Sequence, residues 1–233
     1  MKILLLISFF IPVFSTAQNY TEFWSKLNTT VALNKSWSIG MDVQYRRQAD
    51  YKSGDKNIFH YPMATSIRAW VYYSLKNQWQ IILSPIAYFK NDEILNNNGE
   101  IKQTNEIRQM AGTSKSVDLN RIKNKNRFLI EVRYVDFDNN KSYTQFRYRL
   151  QNSFTIPLHK KEKTTGINYF LSNEVLIKNQ KHQTSFDQNR IYNALQWKFM
   201  HADIDLGYQW VVQRNTNNTL HRNQLFLMLN LNI

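Results

Sequence analysis

From Asn223 to Ile233 the chain alternates in polarity almost without fault. Leu225, Leu227, Leu229, Leu231 and Ile233 fall in one register; Gln224, Phe226, Met228, Asn230 and Asn232 fall in the other. Side chains on a strand alternate faces with a period of two, so this segment predicts a strand with one greasy face and one mixed to polar face. The same pattern recurs upstream: Trp37, Ile39, Met41, Val43 and Tyr45 alternate with Ser38, Gly40, Asp42, Gln44 and Arg46. Alternation and turn residues together predict strands near 22–33, 37–47, 64–75, 78–89, 104–112, 127–136, 144–156, 166–177, 189–199, 202–211 and 222–233. Most match the roughly 9–11 residues that a tilted membrane strand needs. No segment holds a 3.6-residue period over three turns, and no repeat or linker divides the chain.

The start of the chain sets the compartment. Met1-Lys2, an apolar run from Ile3 to Phe14 and the small residues Ser15-Thr16-Ala17 make an export signal, giving a signal peptide over 1–17 and one β-barrel domain over 18–233. The apolar run falls short of the roughly 20 residues of a spanning helix. An exported chain ending on an alternating strand is expected to be all-β, a single antiparallel transmembrane β-barrel of the cell outer membrane. In that setting the last strand closes the sheet and leaves no open edge.

The connections sharpen this expectation and expose a difficulty. Asn34-Lys35-Ser36, Lys76-Asn77 and Met200-His201 are tight, whereas 47–62, 90–103, 178–188 and 213–221 are long and polar. Membrane barrels pair short periplasmic turns with longer external loops, and a last strand ending in the periplasm sorts these connections accordingly. Yet eleven segments are visible and single-chain bacterial barrels normally have an even number. Twelve strands are expected, with ten as the alternative, and a hidden strand is sought in Ser114–Lys125.

Composition changes the picture in three ways. The absence of Cys excludes a disulfide-stapled scaffold. Aromatics at 14% suit strands and interfacial girdles, and the low glycine count leaves turns to Asn, Asp and Lys. The net charge of +13, about +12 without Lys2, points away from nucleic acid in an exported protein and toward outer-membrane lipids or lipopolysaccharide phosphates.

The polar registers carry charge in mid-strand. Arg68, Glu106, Arg108, Glu131, Arg133, Arg147, Arg149, Glu174 and Arg190 form the candidate lumen charge network, with Asp203 and Asp205 beside them. An Arg or Lys on a lipid face costs roughly 2–4 kcal/mol at the bilayer midplane, so these residues are expected inside, paired across the lumen. Glu174 and Arg190 sit on consecutive strands and are expected to pair.

The residues Glu131-Val132-Arg133-Tyr134, Phe146-Arg147-Tyr148-Arg149, Ser172-Asn173-Glu174, Phe186-Asp187-Gln188-Asn189-Arg190 and Leu206-Gly207-Tyr208 also resemble the pattern of an uncharacterised Gram-negative family of outer-membrane-barrel appearance, known only as a domain of unknown function. The resemblance covers most of the chain after the signal and implies the barrel and its location but no activity. The chain departs from common barrel endings in closing on Ile233, not on an aromatic. Asp187-Gln188-Asn189 is read as a loop-to-strand entrance.

Chemistry is sparse. A Ser–His enzyme needs a nucleophile beside a positioned base. His60, His182 and His221 fall in or beside the expected external loops, His159 and His201 in turns, and none stands mid-strand beside a Ser of the same register. No cofactor fingerprint or zinc spacing occurs, so no catalytic, cofactor or metal residue is assigned. The reading is a non-enzymatic barrel serving envelope integrity, narrow transport or lipid contact. The alternatives are a lipid-modifying barrel enzyme and a soluble exported β-sandwich.

Overall fold

The computed structural model describes residues 19–50, 57–94, 101–137, 142–160, 165–214 and 219–233; the expected signal peptide lies outside them. Eleven strands close into one barrel: β1 (Asn19–Ala32), β2 (Trp37–Gln48), β3 (Tyr61–Ser74), β4 (Trp79–Ile94), β5 (Ile101–Leu119), β6 (Ile122–Phe137), β7 (Ser142–Lys160), β8 (Gly166–Gln180), β9 (Gln183–Lys198), β10 (Ala202–Arg214) and β11 (Thr219–Asn232). Ten neighbouring pairs are antiparallel hairpin partners, and the barrel shuts by pairing β1 with β11 in parallel.

The expectation of twelve strands, or ten, is therefore corrected to eleven. An up-and-down barrel with an odd count must meet itself in parallel, and a parallel ladder satisfies the backbone as fully as an antiparallel one. No strand hides in Ser114–Lys125: this stretch is the far end of the β5–β6 hairpin, paired from Ser114↔Arg127 out to Leu119↔Ile122. The connection expected to be long over 178–188 is also corrected. β8 and β9 continue through it and meet at the two-residue turn Lys181-His182. Both turn residues have positive φ, as a tight hairpin requires, although neither is glycine. Asn77 and Asn120 take the same left-handed backbone at two other turns.

The odd count also fixes directions. β1 starts at the end that carries the connections after β2, β4, β6 and β10, and β11 finishes at the opposite, tight-turn end. There Ala32 N–H donates to Ile233 O at 3.1 Å and Ile233 N–H donates to Thr30 O at 2.9 Å, so the last strand is bonded to its final residue.

Ladder irregularities coincide with proline. The register shifts at Pro62 on β3, around Pro85 on β4 and after Pro157 on β7. Proline cannot donate to a ladder, so inside a sheet it belongs where an extra residue interrupts the pairing. Another bulge lies on β9, where Phe186 faces Ile177 and Gln188 faces Leu176, leaving Asp187 as the extra residue.

Burial is inverted relative to a soluble domain. Outward positions are apolar and exposed: Ile39, Met41, Ile67, Leu83, Ile107, Ile130, Leu150, Leu206, Leu225, Leu227 and Leu229 among them. Inward positions hold most of the buried charge. On β4 the outward row runs from Trp79 to Tyr88, and on β2 from Trp37 to Tyr45. At about 3.3 Å per residue and a tilt near 40° such rows stand roughly 20–23 Å tall, close to the apolar band of membrane barrels. Aromatic side chains mark both edges of the band.

Candidate functional site: a cationic lumen

The inward registers of β5 to β9 converge on one ion-pair network. Glu106 on β5 accepts from Arg133 on β6 through both carboxylate oxygens at 2.8 Å, and from Arg108 Nε at 2.7 Å. Arg108 reaches on to Glu131 at 3.3 Å. Glu131 is wholly buried, and Arg149 at 3.5 Å and Arg147 at 3.8 Å share its second oxygen. Arg149 crosses to Glu174 on β8, donating from Nε to Oε1 at 3.1 Å and from Nη2 to Oε2 at 3.0 Å, a two-pronged contact that suits a planar guanidinium. Glu174 also takes Arg127 at 3.2 Å and Arg190 at 3.5 Å.

Glu174 and Arg190 stand directly opposite in the ladder. Arg190 leans more on its own strand, donating to Gln188 Oε1 at 2.8 Å through Nε and 2.6 Å through Nη2. Arg147 bonds Asp187 at 2.8 Å, and Lys178 reaches the same carboxylate at 3.8 Å. The connected set has seven cations against four carboxylates.

Asp187 reaches this network because of the bulge. The extra residue turns both Asp187 and Gln188 inward, and both are buried. The reading of Asp187-Gln188-Asn189 as a strand entrance is thus corrected: β9 has already begun at Gln183, and Asp187 is an interior ion-pair partner.

Arg68 is buried on β3 apart from these pairs, with its guanidinium 5.0 Å from the Trp70 ring centre and 5.1 Å from that of Phe89. Arg108 lies closer to Phe89, at 3.6 Å. Asp205 is buried on β10 and Asp203 half-buried; neither makes an ion pair among the described residues.

Two smaller polar clusters complete the interior. Asp42 accepts from Trp70 Nε1 at 2.6 Å and from Gln44 at 2.8 Å, with Lys26 at 3.5 Å. Glu22 bonds Arg222 and Gln224, each at 2.6 Å, across the parallel seam. These residues escaped the sequence-derived network. Asp42 already stood in the polar register of its strand, whereas Glu22 gains its partners only through the β1–β11 closure.

Apolar side chains fill other parts of the lumen. Trp24, Tyr192, Ala194 and Phe226 form one cluster, and Trp70, Ile82, Met110 and Leu129 another. Glycine makes room for both. A Cβ on Gly207 would lie 2.7 Å from that of Ala194, and one on Gly112 would lie 2.0 Å from the Phe128 carbonyl oxygen.

What stays open is a vestibule of about 400 Å³ toward the long-loop end. Among the described residues seven cations line it (Arg46, Arg108, Arg133, Arg147, Lys178, Arg190 and Arg222), together with the carboxylates of Glu106 and Asp187. No histidine lines it, so a hydroxyl there has no imidazole base. Among the described residues no group of three His, Asp or Glu could hold a metal ion. The chemistry on offer is recognition of negative charge.

Among solved structures, the chain is similar to the beta domain of the Bordetella autotransporter BrkA, at 10% identity over 79% of each chain with a TM-score of 0.48. No curated protein matches. A family profile matches residues 21–223, which takes in β2 to β10 whole, most of β1, the start of β11 and every member of the ion-pair network. The chain therefore belongs to the family described as Protein of unknown function (DUF2490).

Proposed function

We propose that residues 1–17 export this chain and that residues 18–233 form an outer-membrane β-barrel, its apolar face in lipid and its lumen closed by the charge network. One observation carries the reading: the barrel is inside out, with aliphatic rows exposed and glutamate and arginine buried. In water such a surface would expose far more contiguous apolar area than a soluble monomer tolerates. In lipid the same surface is satisfied, and a closed sheet leaves no unpaired backbone.

The role that fits is an envelope barrel that holds a ligand or contacts lipid, in place of a wide pore. Lys90, Lys181 and Arg214 are exposed at the long-loop end, where the phosphates of a lipopolysaccharide leaflet would lie. Expression in a Gram-negative host followed by membrane fractionation tests the proposal. The protein should stay in the outer-membrane pellet through a carbonate wash, leave only with detergent, and migrate faster unheated than boiled. Recovery in the soluble periplasm without detergent would refute it.

A further inference from the structure

We infer that the vestibule is a binding site for a small hydroxylated anion, an acidic sugar bearing a phosphate or carboxylate. The inference goes beyond membrane residence, because it stands on the interior geometry alone.

Three features point to it. The cavity, at about 400 Å³, lies within the roughly 300–1,000 Å³ of small-ligand sites. Among the described residues seven cations line it, and the carboxylates that pair with them number five, Glu106 and Asp187 in the lining with Glu22, Glu131 and Glu174 beside it, so an excess of positive charge is built in. Arg147 is 4% exposed, yet its Nε has no hydrogen-bond partner, and Arg133 and Arg108 already share Glu106. An anion would offset the positive charge that these five carboxylates leave standing.

The third feature is the amide lining. Glutamines 44, 145, 180, 188, 209 and 224 project into the same space. A primary amide both donates and accepts, as a sugar hydroxyl does, so a ring of amides reads hydroxyls where a simple phosphate site would need only cations. Several amides are half used. Gln188 gives its oxygen to Arg190, which leaves its N–H groups over, and Gln209 donates to Gln224 at 2.6 Å, which leaves its oxygen over. Phe137 and Tyr143 add apolar faces against which a sugar ring can pack.

Calorimetry on the purified barrel in detergent at low salt tests the site with four probes: glucose 6-phosphate, galacturonate, glucose and inorganic phosphate. Binding of at least one acidic sugar, tighter than either glucose or phosphate and weakened by salt, supports the inference, and the better acid identifies phosphate or carboxylate as the anion. Lys178→Gln removes one rim cation from a half-buried position and should weaken that binding about tenfold. Gln180→Leu, which removes a lining amide bonded only by Gln145 at 3.5 Å, should weaken the sugar acid and leave inorganic phosphate unchanged. Thermal unfolding of both variants, matched to the parent, shows that the fold is kept. Equal affinity for glucose would remove the anion from the argument. Equal affinity for phosphate alone would remove the sugar. A folded barrel that binds none of the four overturns the site and leaves the membrane reading standing.

Discussion

Glu106, Glu131 and Glu174 each serve more than one guanidinium, and that sharing decides what a single substitution costs. Glu174 faces Arg149, Arg127 and Arg190, whereas Arg190 has Gln188 as a second support. Glu174→Gln takes a carboxylate from three cations, leaving Arg127 without one among the described residues and Arg149 with Glu131 alone, and should cost about 3–5 kcal/mol, the usual penalty for breaking a buried pair by removing one partner. Arg190→Gln should cost less. Replacing both should cost less than the two single changes added, and the same cycle with Arg149→Gln should show the larger coupling because that contact is two-pronged. Heat-modified gel mobility reads all of these; simple additivity at both pairs would contradict shared ion pairing.

Alternation placed these side chains on the inward registers, and chain adjacency placed Glu174 across from Arg190. What alternation could not supply was Asp187. A one-residue bulge shifts the register, and only the three-dimensional pairing of β8 with β9 exposes it. Glu22 escaped for a similar reason: its partners lie two hundred residues away.

At the scale of elements, β11 carries two separate claims. Its outward leucines should tolerate no charge: Leu227→Arg or Leu229→Arg places a cation at a lipid face and should impair assembly by roughly 2–4 kcal/mol near the midplane. Asn230→Arg, in the inward register and close to the tight-turn end, should be accepted far better. Gln224 is the harsher control, because it bonds the Glu22 carboxylate in the seam, whereas Asn230 bonds the neutral Asn28 amide. Folding yield of the three variants into lipid vesicles measures the difference, and equal yields would contradict a lipid-facing register.

The second claim concerns closure. Glu22, Trp24 and Asn28 on β1 meet Arg222, Phe226 and Asn230 on β11 through side chains as well as backbone. Glu22→Ala should lower the temperature of heat modification more than Asp203→Ala, whose carboxylate holds no ion pair among the described residues. No difference between the two would mean that the backbone ladder alone closes the barrel. The strands themselves were legible because an apolar outside and a charged inside impose a strict period of two. Their number was not, because the even-strand expectation assumes an antiparallel closure that this chain does not use.

For the whole molecule, the crowded interior makes a prediction about transport. Ion pairs and two aromatic clusters fill the lumen beyond the vestibule, so purified protein in planar bilayers should pass little current, and what passes should favour anions over the seven lining cations. Large, steady conductance would contradict a closed lumen, and cation preference would contradict its charge balance. The family profile agrees with the expected domain of unknown function, but a family without an assigned activity adds none to this chain, and no residue pattern names the ligand.

The central claim, that the aliphatic face lies in lipid, is open to one direct measurement. The chain has no cysteine, so a single introduced cysteine carries a nitroxide without background. Labels at Ile39, Ile67, Ile107, Ile130 and Leu227, all between 40% and 48% exposed, should in reconstituted membranes be relaxed strongly by dissolved oxygen and weakly by a water-soluble nickel chelate. The same labels at Lys90 and Lys181 should respond in the opposite sense. If the five aliphatic positions respond to the chelate as strongly as the two lysines do, the face meets water and the membrane account fails.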